Sequence, residues 1–360
     1  MATPSVNANH TTDFHFALQH GPRPLPLFLD MLRSETAASS DRLATAMAGL
    51  QAYQRAPRAP VPHPPVAPHR AGRACLRDYG RPGIGGRHVV LVPSLINPPE
   101  ILDLGPDRSL LRWLAARGVH PWLVDWGTPG AKDRDLDIAA HVERLLVPLI
   151  GALDAPPVLV GYCLGGTMAL AAAALTPVAG LATIAAPWRF DGYGAARDAI
   201  ASMWASARPS CDALGVVPME VLQAGFWQLD PARTVAKYER FATLAPDSDA
   251  ARSFVRLEDW ANAGAPLPFA AGRSLFEDLV AADLPGRGTW HVGGRAIDPR
   301  ALACPAIEFV SRTDRIVPAL TAAGLADRRD LAIGHVGMIV GGRAQEALWA
   351  PLADWIDALG

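Results

Sequence analysis

A long uncharged segment constrains the fold of this chain more than any other feature. No charged residue occurs between Ala155 and Trp188, although charged residues make up 19% of the 360 residues. The segment is long enough for a membrane-spanning helix. Its prolines and glycines argue against one, because they recur at intervals that suit strand, turn, helix, turn and strand. We therefore predict buried strands at 158–162 and 180–185 around a helix at 164–175, and no transmembrane segment. The interrupting residues are Pro156, Pro157, Gly161, Gly165, Gly166, Pro177, Gly180 and Pro187.

The regions on either side continue this alternation of strand and helix. Alternating β and α units are typical of a mainly parallel sheet with helices on both faces. The predicted fold class is therefore α/β. The further strands are predicted at 88–92, 120–124, 306–311 and 330–333, and the further helices at 107–117, 136–153 and 344–359.

Two stretches depart from the alternation. The N-terminal one combines a predicted helix at 26–54 with a proline-rich connector at 55–69, which indicates an appendage to the core. The other stretch, residues 188–287, has helical patches rich in Trp, Phe and Met and lacks the alternating pattern of a strand, which indicates an inserted helical cap. The predicted domains are 1–70 for the appendage, 71–187 with 288–360 for the core, and 188–287 for the cap.

The uncharged segment contains a candidate nucleophile. The hexapeptide Gly161-Tyr162-Cys163-Leu164-Gly165-Gly166 joins the first predicted strand of the segment to its helix. This is the pattern of a nucleophile elbow, with cysteine in place of the more usual serine. The tip of such a turn has a strained backbone, so the positions two before and two after the nucleophile must be almost free of side chain. The glycines at 161 and 165 meet that requirement. Cys163 alone would also suit a buried packing residue.

A cysteine nucleophile needs a base, and the base needs a carboxylate to orient it. Asp314 and His335 each follow one of the last two predicted strands, and open α/β sheets place their sites at these strand ends. The order of nucleophile, acid and histidine is that of the α/β-hydrolase fold. We therefore predict an α/β-hydrolase fold with a catalytic triad of Cys163, Asp314 and His335. Asp125, which precedes the elbow, is the rival acid, and we assign it a structural role.

The transition state of acyl transfer also needs donors for an oxyanion. The backbone N–H of Leu164, the residue after the nucleophile, is one expected donor. The second is expected from the loop after the first core strand, between Ser94 and Ile96, and we choose Leu95.

Composition excludes several classes of function. The chain has 33 basic and 35 acidic residues, a balance that gives no electrostatic footprint for nucleic acid. Its four widely separated cysteines predict neither disulfides nor a metal site. No glycine-rich phosphate fingerprint follows a predicted strand, so no nucleotide cofactor is expected. The polar N-terminus lacks the pattern of a signal peptide, which predicts a cytoplasmic location.

Several segments together resemble the polyhydroxyalkanoate synthases, and among them the short-subunit (class III) catalytic subunit, which works with a separate partner subunit. The resemblance extends from about residue 75 to the C-terminus and is weakest in the cap. It departs from the family at Arg315, where synthases usually have His, and at Pro98 and Glu100, which replace a basic residue and a Tyr. The matching segments are Leu95-Ile96-Asn97, Ile101-Leu102-Asp103-Leu104, Asp107-Arg108-Ser109, Val124-Asp125-Trp126-Gly127, Gly161 to Thr167, Ala185-Ala186-Pro187, Val292-Gly293-Gly294-Arg295, Asp314 with Ile316-Val317-Pro318, and Gly334-His335.

This resemblance implies an acyltransferase that polymerises (R)-3-hydroxyacyl-CoA into polyester and releases CoA. Cys163 would hold the acyl group, His335 would deprotonate the thiol, and Asp314 would orient His335 or help to activate the 3-hydroxyl of the acceptor. CoA enters as part of the substrate, and no cofactor is implied. The implied partners are the growing polyester and a second copy or a separate subunit, at the surface of polyester granules in the cytoplasm.

Two other functions fit parts of the pattern. A cysteine hydrolase on the same fold would be a polyester depolymerase or an esterase similar to dienelactone hydrolase. The long insertion between Cys163 and Asp314 argues against the latter, which is a small enzyme without such a cap. A non-catalytic, granule-associated relative that keeps the fold is the second alternative.

Overall fold

The computed structural model describes residues 20–58, 63–83 and 85–359. The first 19 residues of the predicted appendage, with the N-terminus that we read as lacking a signal peptide, lie outside this part of the chain, as do four residues of the connector. The first half of the described chain contains α1 (Leu25–Glu35), α2 (Ser40–Arg55), β1 (His69–Ala71), β2 (Ala74–Asp78), β3 (His88–Val92), α3 (Leu110–Ala116), β4 (His120–Asp125), α4 (Ile138–His141), α5 (Val147–Gly151), β5 (Val158–Tyr162), α6 (Leu164–Leu175) and β6 (Gly180–Ile184).

The second half contains the cap and the end of the core. Its elements are α7 (Ala196–Leu214), β7 (Val216–Val217), α8 (Met219–Leu229), α9 (Pro231–Phe241), α10 (Asp249–Ala261), β8 (Leu267–Pro268), α11 (Phe269–Arg273), β9 (His291–Val292), β10 (Arg295–Ala296), β11 (Ala306–Ser311), β12 (Asp327–Leu331), α12 (Gly337–Val340) and α13 (Ala350–Asp357). Three π-helical segments occur in the described chain: Val142–Leu146 joins α4 to α5, Ser274–Ala281 continues α11, and Gln345–Trp349 leads into α13.

In the described part of the chain, eight strands form one sheet in the order β1-β2-β4-β3-β5-β6-β11-β12. From β4 to β12 all neighbours are parallel, while β1 and β2 form an antiparallel hairpin that pairs with β4. The prediction of a mainly parallel α/β sheet is therefore confirmed.

Strands in the middle of the sheet are buried on both faces. Val90 and Val92 point into one hydrophobic core, with the helices α4 to α6, whereas Val89 and Leu91 point into the other, with α3, α12 and α13. Strand β5 repeats this division and is buried along its whole length. Burial on both faces explains why the segment around β5 and β6 lacks charge.

The edges of the sheet differ from the sequence-based expectation. The hairpin β1–β2 was not predicted, because its arginines and Gly72 give no alternating pattern. The last strand was predicted at 330–333 but occupies Asp327–Leu331. Four of its five residues are charged, so the apolar residues that follow it gave the stronger strand signal. Charged side chains are typical of edge strands.

Helices dominate the region between β6 and β11 that we predicted as a cap. It also contains a short antiparallel pair, β7 with β8, which the sequence pattern did not indicate. None of the helices within the described ranges is long and apolar enough to cross a membrane.

The N-terminal helices pack on the cap. The single helix predicted at 26–54 is two helices, and the Ser39 side chain caps the second by accepting a hydrogen bond from the N–H of Arg42. Helices α2 and α9 are in close contact, since a methyl group on Gly49 would lie 2.0 Å from the carbonyl oxygen of Tyr238. Phe28, Tyr53 and Tyr238 belong to one hydrophobic cluster shared by both regions.

Candidate active site

Cys163 lies at the turn between β5 and α6. Its φ of 56° and ψ of −135° are in a region that residues other than glycine rarely adopt. Such a conformation costs on the order of 1–3 kcal/mol and persists only when the surrounding structure imposes it. The turn therefore has the strained backbone expected of a nucleophile elbow.

The glycines around Cys163 leave room for three backbone segments to meet. A methyl group on Gly161 would lie 2.4 Å from the Cα of Gly166, and one on Gly165 would lie 2.1 Å from the carbonyl oxygen of Val92. A methyl group on Gly166 would lie 2.3 Å from the Cβ of Ala186. These glycines are required for close approach, since none of them has a positive φ.

Asp314 and His335 lie beside each other after β11 and β12. The Nδ1 of His335 is 2.5 Å from Oδ2 of Asp314, and both side chains are buried. The other oxygen of Asp314, Oδ1, accepts hydrogen bonds from the N–H groups of Ile316 and Val317 at 2.8 and 3.0 Å. The carboxylate is thus fixed on one side by the backbone and orients the imidazole with the other.

The charges around His335 favour its protonated form. Burial lowers the pKa of His335, but the neighbouring Cys163 and Asp314 outweigh it and raise this pKa to about 10. Near neutral pH, the imidazole is therefore positively charged beside the thiol. A positively charged group beside a cysteine is a typical feature of nucleophilic cysteine sites.

Asp125 lies in a different ion pair. Its Oδ2 is 2.7 Å from Nη2 of Arg77, and its Oδ1 accepts a hydrogen bond from the N–H of Gly127 at 2.9 Å. Arg77 also pairs with Glu100 at 2.6 Å. Asp125 therefore fixes strand β2 and the loop that contains Glu100, whereas Asp314 contacts His335.

The expected oxyanion donors flank the nucleophile. Leu164 is the first residue of α6, and the N–H groups of the first turn of a helix have no partner within the helix. In the loop after β3, Ser94 and Ile96 line the same cavity as Cys163. The N–H of Ile96 donates to Oγ of Ser94 at 3.1 Å, so it is engaged elsewhere. Leu95 stays our prediction for the second donor.

Cys163 and His335 open into a cavity of about 190 Å³ under the cap. The cap contributes mainly aromatic and polar side chains from three helices, and the core loops contribute the opposite wall. This volume is below the roughly 300–1,000 Å³ of typical small-molecule sites. The cap side chains in the lining are Gln223, Phe226, Trp227, Thr234, Lys237, Trp260 and Ala261.

Sequence reasoning did not find these cap residues. They come from α8, α9 and α10, and only the packing of these helices brings them to one cavity. Trp260 also holds the cap on the core, because its Nε1 donates to the carbonyl oxygen of Pro98 at 2.8 Å. Arg315 makes a second link, since its Nη1 is 2.8 Å from Oδ2 of Asp230 at the start of α9. The only available signal was the aromatic content of the region.

No group of three or more His, Cys, Asp or Glu side chains within residues 20–58, 63–83 and 85–359 is arranged to hold a metal ion.

The pattern of the alpha/beta hydrolase family matches residues 89–347, well over half of the chain. The chain belongs to the alpha/beta hydrolase family. Within this family it is similar to the poly(3-hydroxyalkanoate) polymerase subunit PhaC of Haloferax mediterranei, with 30% identity over 284 residues, 74% of this chain and 58% of the relative. The subunit of the same name from Haloarcula marismortui is 28% identical over 285 residues, 74% of this chain and 60% of the relative.

A third relative matches over more of its own length. The PhaC subunit of Allochromatium vinosum is 28% identical over 300 residues, which cover 78% of this chain and 83% of the relative. The chain thus spans about three-fifths of the first two relatives and most of the third. The resemblance to polyhydroxyalkanoate synthases that we inferred from the sequence is confirmed by these relatives.

Proposed function

We propose that this chain is a polyhydroxyalkanoate synthase, which polymerises (R)-3-hydroxyacyl-CoA through an acyl group held on Cys163. The main support is the arrangement of Cys163 at a strained elbow with the His335–Asp314 pair in the same capped cavity. A nucleophile, a base and an orienting carboxylate in this arrangement suit covalent acyl transfer.

The first half-reaction loads the enzyme. The thiolate of Cys163 attacks the thioester carbonyl, and the N–H of Leu164 with that of Leu95 stabilises the oxyanion. The C–S bond to CoA then breaks, and CoA leaves as a thiol after accepting the proton of His335. The products are acyl-Cys163 and CoA. Thiol–thioester exchange is nearly balanced in energy, so the acyl group stays reactive.

The second half-reaction forms the ester. The 3-hydroxyl of another hydroxyacyl unit attacks acyl-Cys163, and His335 accepts the hydroxyl proton. Asp314 orients His335 in both steps. The new ester bond forms as the C–S bond to Cys163 breaks, and the thiolate–imidazolium pair is restored. This reaction needs no cofactor besides the CoA carried by the substrate.

The cap favours transfer to a hydroxyl over hydrolysis. Its aromatic side chains line the cavity beside Cys163 and should keep water away from the acyl group. Because the cavity is smaller than the substrate, the cap is expected to move when acyl-CoA enters. We further propose that a second copy or a separate subunit assists at the surface of cytoplasmic polyester granules.

The experiment follows both products of (R)-3-hydroxybutyryl-CoA. A synthase releases CoA and forms insoluble polyester, whereas a depolymerase or esterase releases CoA and free hydroxy acid. A non-catalytic relative releases neither. Cys163→Ala should abolish all turnover, and Cys304→Ala is the matched control at a cysteine away from the cavity. CoA release without polymer from the wild type, with or without added partner subunit, would contradict the synthase proposal.

A further inference from the structure

The cavity contains one charged side chain that the proposed chemistry does not use. Among the described residues that line the cavity, Lys237 is the one charged side chain apart from the proposed catalytic residues Cys163 and His335. The sequence contains only two lysines, Lys132 and Lys237, among 33 basic residues. A lysine lining an otherwise mainly apolar cavity needs a physical explanation, because desolvation of an ammonium group is costly.

Glu258 holds this ammonium group in place. The Nζ of Lys237 is 2.8 Å from Oε2 of Glu258, whose side chain is only 5% exposed. The hydroxyl of Tyr238 donates to the same oxygen at 2.9 Å. The carboxylate is thus fixed from behind, within the cap. An ammonium group has three N–H donors, so this pairing leaves Lys237 able to bind a further acceptor.

Lys237 lies at the entrance of the cavity. Its side chain is 31% exposed although it lines the cavity, whereas His335 at the catalytic end is 8% exposed. Arg233 lies one turn earlier on α9 and is exposed on the adjoining part of the same helix face. Lys237 therefore places an ammonium group at the more exposed end of the cavity, while the wall towards Cys163 is mainly apolar.

This distribution of charge matches the chemistry of a CoA thioester. Its acyl group and thioester are uncharged and must reach Cys163, while its phosphate groups lie at the far end of the pantetheine arm. With the thioester at the sulfur, the phosphates lie towards the entrance. A lysine ammonium binds phosphate as a compact point charge.

We propose that Lys237 is a specificity-determining residue that binds a phosphate group of the CoA moiety at the entrance of the cavity. This inference rests on the proposed function. Lys237 does not contact the reacting atoms, so it selects substrates with phosphate over substrates that end at pantetheine. Glu258 keeps its ammonium group in a fixed position in the lining of the cavity.

The test compares the binding of CoA with that of pantetheine, which lacks the phosphates. Calorimetry on the Cys163→Ala protein should give tighter binding of CoA, with a strong dependence on salt. Lys237→Met should weaken CoA binding at least about tenfold, the loss expected for one charge-assisted hydrogen bond, and should reduce the preference over pantetheine by the same factor. Lys237→Arg should restore most of the preference.

Two further variants separate binding from folding. Lys237→Met leaves the buried Glu258 without its partner, which is destabilising. The double variant Lys237→Met/Glu258→Gln removes both charges, and it should show the same loss of preference for CoA. Lys132→Met changes the other lysine, which is exposed, and should keep the wild-type preference.

The outcomes distinguish the two proposals. If CoA and pantetheine bind equally to the Cys163→Ala protein, or if the double variant keeps the preference for CoA, the role of Lys237 is refuted. The synthase proposal still stands in that case if the wild type polymerises hydroxybutyryl-CoA. Conversely, a Lys237-dependent preference for CoA in a protein that forms no polyester would refute the synthase proposal alone.

Discussion

Gly165→Ala tests whether the elbow depends on close backbone contact. The added methyl group would lie 2.1 Å from the carbonyl oxygen of Val92 and 2.5 Å from that of Pro93. Both contacts are with backbone, so the start of α6 or the end of β3 must move by about 1 Å to restore van der Waals distance. Overpacking of this kind costs about 1–3 kcal/mol of stability. The same shift moves Cys163 relative to His335.

The expected loss of activity exceeds the loss of stability. A displacement of about 1 Å between reacting groups costs roughly 10²-fold in rate. Thermal unfolding measures the stability, and the rate of CoA release from hydroxybutyryl-CoA measures the activity of the folded protein. Gly342→Ala is the matched control, because a methyl group there meets no atom within 4 Å. Wild-type stability and turnover in Gly165→Ala would refute the argument from close contact.

Three further substitutions test other parts of the site. Cys163 and Asp314 together raise the pKa of His335 to about 10, and Asp314→Asn removes the second of these charges. The alkaline limit of kcat/KM should therefore move to lower pH, with a loss of about 10²-fold or more near pH 8. An unshifted pH–rate profile would contradict this. Because that pKa lies above the ordinary value of histidine, the charged pair stabilises the wild-type fold at neutral pH, and melting curves should record the loss of this stabilisation as the pH rises towards 10. Asp125→Asn breaks the ion pair with Arg77 and should lower the free energy of unfolding, measured with denaturant, by about 1–2 kcal/mol. The rate of CoA release should change less than about tenfold. A loss of activity as large as that of Asp314→Asn would make Asp125 the catalytic acid. Arg315→Ala removes an ion pair in which the arginine is 66% exposed, so the free energy of unfolding should change by less than about 1 kcal/mol. A larger change would mean that this ion pair holds the cap on the core.

The central elements could be predicted from the sequence because local pattern and burial agree there. Residues 158–162 are apolar and rich in Val, and the residues of α6 favour a helix directly after the glycine-rich turn. The order of Cys163, Asp314 and His335 also follows from local signals, since each lies in the turn or loop that follows a strand. Parallel topology then brings the ends of these strands to one side of the sheet.

Features that depend on contacts between distant segments could not be predicted in this way. The charged strand β12 and the hairpin β1–β2 lie at the edges of the sheet, where hydrogen bonding to a neighbour replaces apolar pattern as the cause of strand formation. The break between α1 and α2 depends on one cap, Ser39. Lys237 and Trp260 line the same cavity only because α9 and α10 pack against each other, so their place in the cavity has no local signature.

The charged edge strand β12 also limits how the protein can associate. Its side chains pair with one another, Arg328 with Asp330 and Arg329 with Asp327. A strand added from another molecule would have to lie along these charges and compete with their ion pairs, which disfavours β-augmentation at this edge. A second copy or a partner subunit that binds this protein would therefore have to use a surface other than the β12 edge.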